Sequence, residues 1–120
     1  MKYCELYKEF IAMFPEDCVY FSNRCKEVLA DEEDGMHVMF GMVVTPYIRK
    51  CINENSDNLH KIFEFIEKME TSEDRMIAEV AEISILEDLI TKDKMLLETI
   101  QKFAGSETIL AIKELSKWYK

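Results

Sequence analysis

Residues 59–90, LHKIFEFIEKMETSEDRMIAEVAEISILEDLI, constrain the fold more than any other part of this chain. The first half places apolar residues three or four positions apart, so they line one face of an α-helix. These residues are Leu59, Ile62, Phe63, Ile66 and Met69. The polar turn 71–74 then supplies a hydroxyl and acids of the kind that cap a following helix. The pattern therefore predicts a helical hairpin.

The second helix of this hairpin, residues 76–90, is apolar over such a wide arc that we expect neighbouring helices to cover it on several sides. Glu87 interrupts the apolar pattern. At a step of about 100° per residue, it falls on the same arc as Met76, Val80 and Ile83. Because an unpaired buried carboxylate is costly, Glu87 is predicted to have a specific partner or to open into a groove.

Two interpretations of Glu87 stay open. In the first, it is an internal brace that bonds to a neighbouring helix start, to Arg24 or Arg49, or to a tyrosine hydroxyl. In the second, it is a cleft acid that transfers a proton or anchors a ligand, with His37, His60 or Tyr47 nearby. Either way, Glu87 is the candidate for a buried polar or groove position.

Length and composition predict one all-α domain covering residues 1–120. The chain is 48% hydrophobic, contains only three glycines and two prolines, and shows no sustained alternation of apolar and polar residues. We expect a compact antiparallel helical bundle, or a short HEAT-like stack, of about six to seven helices. Within residues 36–54, Gly41 and Pro46 leave open whether the chain forms one kinked helix or two short ones.

The charge indicates a class of partner. A net charge of −9 argues against nucleic acid, whose phosphates need a basic face, and indicates either a well-solvated surface or a protein partner with a basic surface. The run Asp31, Glu32, Glu33 and Asp34 ends at a glycine and is predicted to be a solvated, partner-binding loop. It is too short and too dense in acids for a calcium loop.

Other classes find no support in the sequence. There is no phosphate loop, no recognisable serine, histidine and aspartate set and no paired metal motif, so we expect no enzymatic activity, catalytic residue, metal or cofactor. No apolar run approaches the 18 or so residues that cross a bilayer, and the start lacks the apolar segment of a signal peptide. The expected location is the cytoplasm, away from membranes.

Five short pieces of the chain resemble a family of small, mostly uncharacterised bacterial helical proteins. They are MVVTPYI (42–48), FEFIEKM (63–69), TSED (71–74), AEISILEDL (81–89) and FAGSET (103–108). Some members of that family are encoded near polymorphic toxin systems. The resemblance covers roughly the last two thirds of the chain and implies a HEAT-like helical domain that acts as an immunity protein. It transfers Glu87 and Asp88 as positions of the pattern, with no catalytic role.

Three functions follow from these observations. The favoured one is a bacterial immunity or antitoxin-like inhibitor that binds a partner, such as a basic toxin domain, through an acidic helical surface. The second is a small-molecule-binding or enzymatic domain with Glu87 in an inter-helix groove. The third is a structural oligomeric module, for which the eight methionines provide adaptable apolar surface that suits a homodimer.

Overall fold

All regular secondary structure is helical in residues 1–92 and 96–118, the part of the chain that the computed structural model describes. Seven helices are present in this part. They are α1 (Leu6–Ala12), α2 (Cys18–Val28), α3 (36–53), α4 (Leu59–Glu70), α5 (75–92), α6 (Leu96–Phe103) and α7 (Ser106–Ser116). Short 3-10 turns at Tyr3–Glu5, Pro15–Asp17 and Glu32–Asp34 precede the first three helices. The prediction of an all-α fold with about seven helices is confirmed.

Helices α3 and α5 each contain a π-helical segment between two α-helical ones. In α3 the segments are Met36–Met39, Phe40–Val44 and Thr45–Asn53, with the π-helical segment in the middle. In α5 they are Arg75–Glu79, Val80–Leu86 and Glu87–Lys92, in the same order. Such segments are rare in helical proteins and have wider turns, closed by hydrogen bonds to the fifth preceding residue.

The π-helical segment of α3 settles the question left open by Gly41 and Pro46. Residues 36–53 form one continuous helical run. Pro46 lies in the first turn of the segment Thr45–Asn53, directly after the π-helical turns. Because these turns already shift the backbone hydrogen-bonding register, the missing amide of Pro46 is accommodated without breaking the helix.

The π-helical segment of α5 overturns part of the predicted apolar arc. Val80 is fully buried as predicted, but Met76 and Ile83 are each 53% exposed. Glu87, the first residue after the segment, is half-buried. Each wider turn takes up an additional residue, so a constant step of about 100° loses phase along this helix. The face turned to the core keeps Val80 and otherwise consists of Ile77, Ala78, Ala81, Ser84, Ile85, Leu86 and Leu89.

The two π-helical segments pack against each other, and residues on either side of Phe40–Val44 make polar contacts with Ser84 of the other segment. The Thr45 hydroxyl donates a hydrogen bond to the Ser84 carbonyl oxygen at 2.6 Å. Nδ1 of His37 lies 2.8 Å from Oγ of Ser84. These contacts hold α3 and α5 in register, because each gives a polar group of Ser84 a partner inside the protein.

Phe10 lies at the centre of an aromatic cluster that joins the N-terminal helices to the rest of the core. Its ring centroid is 5.3 Å from that of Phe14 and 5.4 Å from that of Phe65. The rings of Phe21, Phe40 and Tyr47 lie 6.1 to 6.3 Å away, mostly edge to face. This geometry suits the quadrupoles of aromatic rings.

The hairpin of α4 and α5 forms as the sequence predicted. The five apolar residues that define the predicted inner face of α4 are fully buried. The cap of α5 differs in one detail, because the Asp74 carboxylate, and not a hydroxyl, accepts the hydrogen bond from the Met76 amide at 2.9 Å. Ser72 Oγ accepts a bond from the Asp74 amide at 3.2 Å and so orders the turn. The result is a tight turn that brings Glu70 close to Arg75.

Candidate functional site

A groove of about 380 Å³ opens where the C-terminal end of α4 meets α5 and α7. Helix α4 contributes its last residue, Glu70, and α5 contributes Arg75 and Glu82. One side of α7 and the residues directly after it complete the lining with Glu107, Leu110, Ala111, Glu114, Leu115 and Trp118. The groove therefore combines carboxylates from three helices with a partly apolar wall.

Glu70 is the most perturbed acid of this groove. Its Oε1 atom is buried and has no hydrogen-bond partner within the described part of the chain. Burial, the nearby charge of Glu82 and a side-chain hydrogen bond with Glu82 raise the pKa of Glu70 to about 8. Near neutral pH the Glu70 carboxyl therefore holds a proton for much of the time. Strongly shifted acids that line a cavity are candidates for functional groups.

Arg75 and Glu82 form a loose ion pair across the mouth of the groove. The Arg75 guanidinium lies 4.0 Å from the Glu82 carboxylate. The Arg75 side chain is 72% exposed, whereas that of Glu82 is 26% exposed. An ion pair this long and this exposed contributes little to stability. Arg75 can therefore move away from Glu82 at small cost.

Glu67 holds α7 against α4 and so fixes the apolar wall of the groove. Its carboxylate accepts hydrogen bonds from the Glu107 amide at 3.0 Å, the Thr108 amide at 2.8 Å and the Thr108 hydroxyl at 2.8 Å. Burial would raise the pKa of Glu67, but these hydrogen bonds outweigh it and lower the pKa below its ordinary value. The carboxylate thus caps the amides at the start of α7 from a different helix.

Gly105 makes this cap possible. A Cβ atom at this position would lie 2.4 Å from Cδ of Glu67. The absence of a side chain lets the Glu67 carboxylate approach the first amides of α7. The sequence FAGSET therefore contains both the end of α6 and the docking point of α4.

Trp118 and Leu110 form an exposed apolar rim on this groove. Trp118 is 82% exposed and Leu110 is 53% exposed. Glu114, one turn before Trp118, accepts a hydrogen bond from Lys117 Nζ at 2.9 Å. A large aromatic side chain exposed to this degree beside an acidic groove is typical of a binding surface.

The predicted acidic loop is exposed and lies apart from the groove lining. Asp31, Glu32, Glu33 and Asp34 are all exposed at the connection from α2 to α3. Asp31 accepts a hydrogen bond from the Glu33 amide at 2.8 Å, and Asp34 accepts one from the Asp31 amide at 2.9 Å. These bonds hold the loop backbone in one conformation, and the exposed side chains of Glu32 and Glu33 extend from it.

Glu87 is half-buried and does not line the groove. The neighbouring Asp88 forms ion pairs with Arg49 at 2.7 Å and with Lys92 at 3.0 Å. Burial would raise the pKa of Asp88, but the hydrogen bonds from these two bases lower it below its ordinary value. Arg24, the other basic partner predicted for Glu87, donates a hydrogen bond to the Met42 carbonyl oxygen at 2.9 Å.

The residues proposed to work beside Glu87 contact several different neighbours. His37 contacts Ser84, as described above, and the His60 ring packs edge to face on Phe103 with centroids 4.8 Å apart. The Tyr47 hydroxyl donates to the Asp17 carboxylate at 2.6 Å. In the described residues, no three side chains of His, Cys, Asp and Glu are arranged to hold a metal ion.

Sequence reasoning missed Glu70, Glu82 and Trp118. Glu67 and Glu70 lie three residues apart and so share one side of α4, which was the available signal. Helical spacing alone leaves open whether Trp118 faces the core or the solvent, and in the structure it is exposed. The groove forms where three helices meet, and no local sequence pattern carries that information.

Fold and groove together define a small all-α domain with an acidic inter-helix groove. The chain belongs to the family described as domain of unknown function DUF7674, whose model matches residues 7–119. No curated protein and no solved structure shows significant similarity to the chain. In the described residues, no helix has both the length and the apolar character that a membrane span requires.

Proposed function

We propose that this chain is a protein-interaction module that binds and inhibits a partner protein with a basic surface, as a bacterial immunity or antitoxin protein does. In this proposal it has no enzymatic activity of its own and works in the cytoplasm. Its helices act as a rigid, HEAT-like scaffold that presents acidic side chains to the partner.

The observation that carries this proposal is the groove, where exposed apolar side chains lie beside several acids. Trp118 and Leu110 offer apolar contact area, and tryptophan is enriched among the residues that dominate binding energy in protein interfaces. The surrounding acids favour a partner of opposite charge and disfavour acidic ones. The net charge of −9 extends this preference over the whole surface.

The inhibitory role rests on electrostatic complementarity with nucleic-acid-cleaving toxins. A nuclease needs a basic cleft to hold phosphates. An acidic protein can occupy such a cleft and block it, with fast association that weakens as salt is added. The exposed acids of loop 31–34 add a second acidic patch that steers the encounter.

Association kinetics with a cognate partner test this function. Proteins encoded beside this one supply candidates, and a genuine partner must bind stoichiometrically and lose its own activity in the complex. We expect the association rate to fall by at least about tenfold when ionic strength rises from about 0.05 to 0.5 M. An inhibited partner whose association rate is independent of salt would contradict the electrostatic part of the proposal.

Charge variants locate the surface that binds. Neutralising Asp31, Glu32, Glu33 and Asp34 together is expected to slow association, because these acids steer the partner from a distance. Trp118→Ala is expected to speed dissociation, because it removes a contact made only in the complex. Val19→Ala is the matched control, since Val19 is also strongly exposed and is not part of the groove. Equal effects of all three variants would contradict this assignment.

A small-molecule ligand is the second candidate function. The groove volume of about 380 Å³ falls within the range of ligand pockets, roughly 300 to 1,000 Å³, and the buried Oε1 atom of Glu70 offers a polar anchor. This alternative places the ligand at Glu70 and not at Glu87. A metabolite that raises the melting temperature in wild type, but not in Glu70→Gln, would favour it.

A further inference from the structure

We propose that the groove is a receptor for one arginine side chain of the partner, with the guanidinium held between Glu70 and Glu82 and the aliphatic stem lying against Leu110 and Trp118. This inference deepens the proposed function and rests on it, since it names the chemical group of the partner that the groove recognises. Its test uses a peptide, so it does not require the partner to be known.

Buried, unsatisfied acceptor capacity is the first reason. Oε1 of Glu70 is buried without a hydrogen-bond partner in the described residues, and such an atom is costly unless a donor reaches it. A guanidinium carries five N–H donors in a planar fork, which suits carboxylates placed on two sides. The groove thus holds two neighbouring carboxyl groups, Glu70 and Glu82, that one guanidinium can bridge.

Arg75 provides the second reason, because it shows that this position attracts a guanidinium. Its guanidinium lies 4.0 Å from the Glu82 carboxylate, and 72% of the Arg75 side chain is exposed. That contact is too long for a hydrogen bond and leaves Glu70 Oε1 without a partner. An incoming arginine can displace Arg75 with little loss.

Trp118 and Leu110 favour arginine over lysine or a metal ion. A guanidinium stacks on an aromatic face and is more weakly hydrated than an ammonium group, so it leaves water at lower cost. The exposed indole of Trp118 offers such a face at the edge of the groove. A hard divalent cation prefers oxygen ligands alone and gains nothing from this apolar wall.

Other charges around Glu70 decide how binding responds to pH. Within the described residues, the charged groups of the three helices and their ends are Glu67, Arg75, Glu82, Glu107, Glu114 and Lys117. Glu67 is already bonded to the start of α7, and Lys117 is bonded to Glu114. Because the pKa of Glu70 is raised to about 8, a bound guanidinium must displace a proton from the groove. Affinity is therefore expected to increase as pH rises toward and past about 8.

Fluorescence of Trp118, the only tryptophan in the chain, reports on the groove directly. The probe is the capped tripeptide glycine-arginine-glycine, with its lysine and citrulline counterparts as controls. We expect saturable binding with an affinity that decreases from the arginine peptide to the lysine peptide to the citrulline peptide. Citrulline has the shape of arginine without its charge, so it tests the need for charge. Equal binding of the citrulline peptide would overturn the proposal.

Variants of the groove make the test specific. Glu70→Gln is expected to lower the affinity for the arginine peptide by about tenfold, because it removes one charge-assisted hydrogen bond. Arg75→Gln is expected to raise the affinity by about threefold, because it removes the guanidinium of the protein itself that competes for Glu82. Glu79→Gln is the control. Glu79 is an exposed acid on α5 outside the groove, and its replacement should change the affinity by less than about twofold.

The outcomes separate this inference from the proposed function. Weaker binding in Arg75→Gln, or unchanged binding in Glu70→Gln with a wild-type circular dichroism spectrum, would overturn the arginine receptor. A fluorescence change that depends on protein concentration alone would show that a second copy fills the groove, and would also overturn it. In either case salt-dependent binding to an intact basic partner would leave the proposed function standing.

Discussion

Glu70→Gln should make the protein more stable at alkaline pH and leave its stability almost unchanged at acid pH. Burial and the charge of Glu82 raise the pKa of Glu70 from 4.5 to about 8. The folded state therefore keeps a proton that the unfolded state releases between these two values. The stability that this proton provides is complete below about pH 4.5 and is lost as pH rises through about 8.

The size of the effect follows from the shift in pKa. At about 1.4 kcal/mol per unit, a shift from 4.5 to about 8 sets a ceiling of about 5 kcal/mol. The Glu70 carboxyl is hydrogen-bonded to Glu82, and the groove is open to water, so we expect about 1 to 3 kcal/mol. Glutamine keeps the neutral state at every pH, so the difference between variant and wild type isolates this contribution.

Urea unfolding, followed by far-ultraviolet circular dichroism at about pH 5 and pH 9, measures the difference. A reductant keeps the four free cysteines from oxidising at the higher pH. Glu79→Gln removes the same charge from an exposed site and should show no such pH dependence. If Glu70→Gln and wild type differ by the same amount at both pH values, Glu70 is ionised in the folded protein and the reasoning about the groove is wrong.

Three further predictions test the contacts that support the groove and the core. Gly105→Ala should cost about 1 to 2 kcal/mol by displacing the Glu67 cap, and its effect should vanish in a Glu67→Ala background, which lacks the atoms that the new Cβ would strike, as a double-mutant cycle would show. Asp88→Asn should cost about 1 to 2 kcal/mol near neutral pH, and this loss should shrink on acidification, because the pKa of Asp88 is lowered and its ion pairs disappear as pH falls through that pKa. Phe10→Leu should cost about 2 kcal/mol in urea unfolding by removing edge-to-face ring contacts, whereas the exposed Val19→Ala should cost under about 0.5 kcal/mol.

The sequence predicted the helices of this protein well where one α-helical period applied throughout. The inner face of α4 is an example, because Leu59, Ile62 and Ile66 are all fully buried, as their spacing indicated. The prediction was wrong where the period changed. Met76 and Ile83 were assigned to the core and are exposed, because the π-helical segment Val80–Leu86 alters the number of residues per turn.

The candidate site was harder to predict than the fold. The acids at 31–34 were visible as a charged run, and their exposure agrees with a solvated loop. Glu87 drew attention because a regular helix would bury it, yet the acid with the strongly raised pKa is Glu70. Glu70 looks like an ordinary polar residue at a helix end until Glu82 and α7 are placed beside it.

By itself the sequence determined the all-helical class, the hairpin of α4 and α5 and the excess of negative charge, because each depends on residue type and on spacing along one helix. Only the tertiary structure decided which acids meet and which apolar residues stay outside. Contacts between helices join residues that are far apart in the chain, as when Glu67 caps α7 across 40 residues and thereby forms one wall of the groove. A carboxylate acquires an unusual pKa from the neighbours that surround it in space, and those neighbours are set by packing.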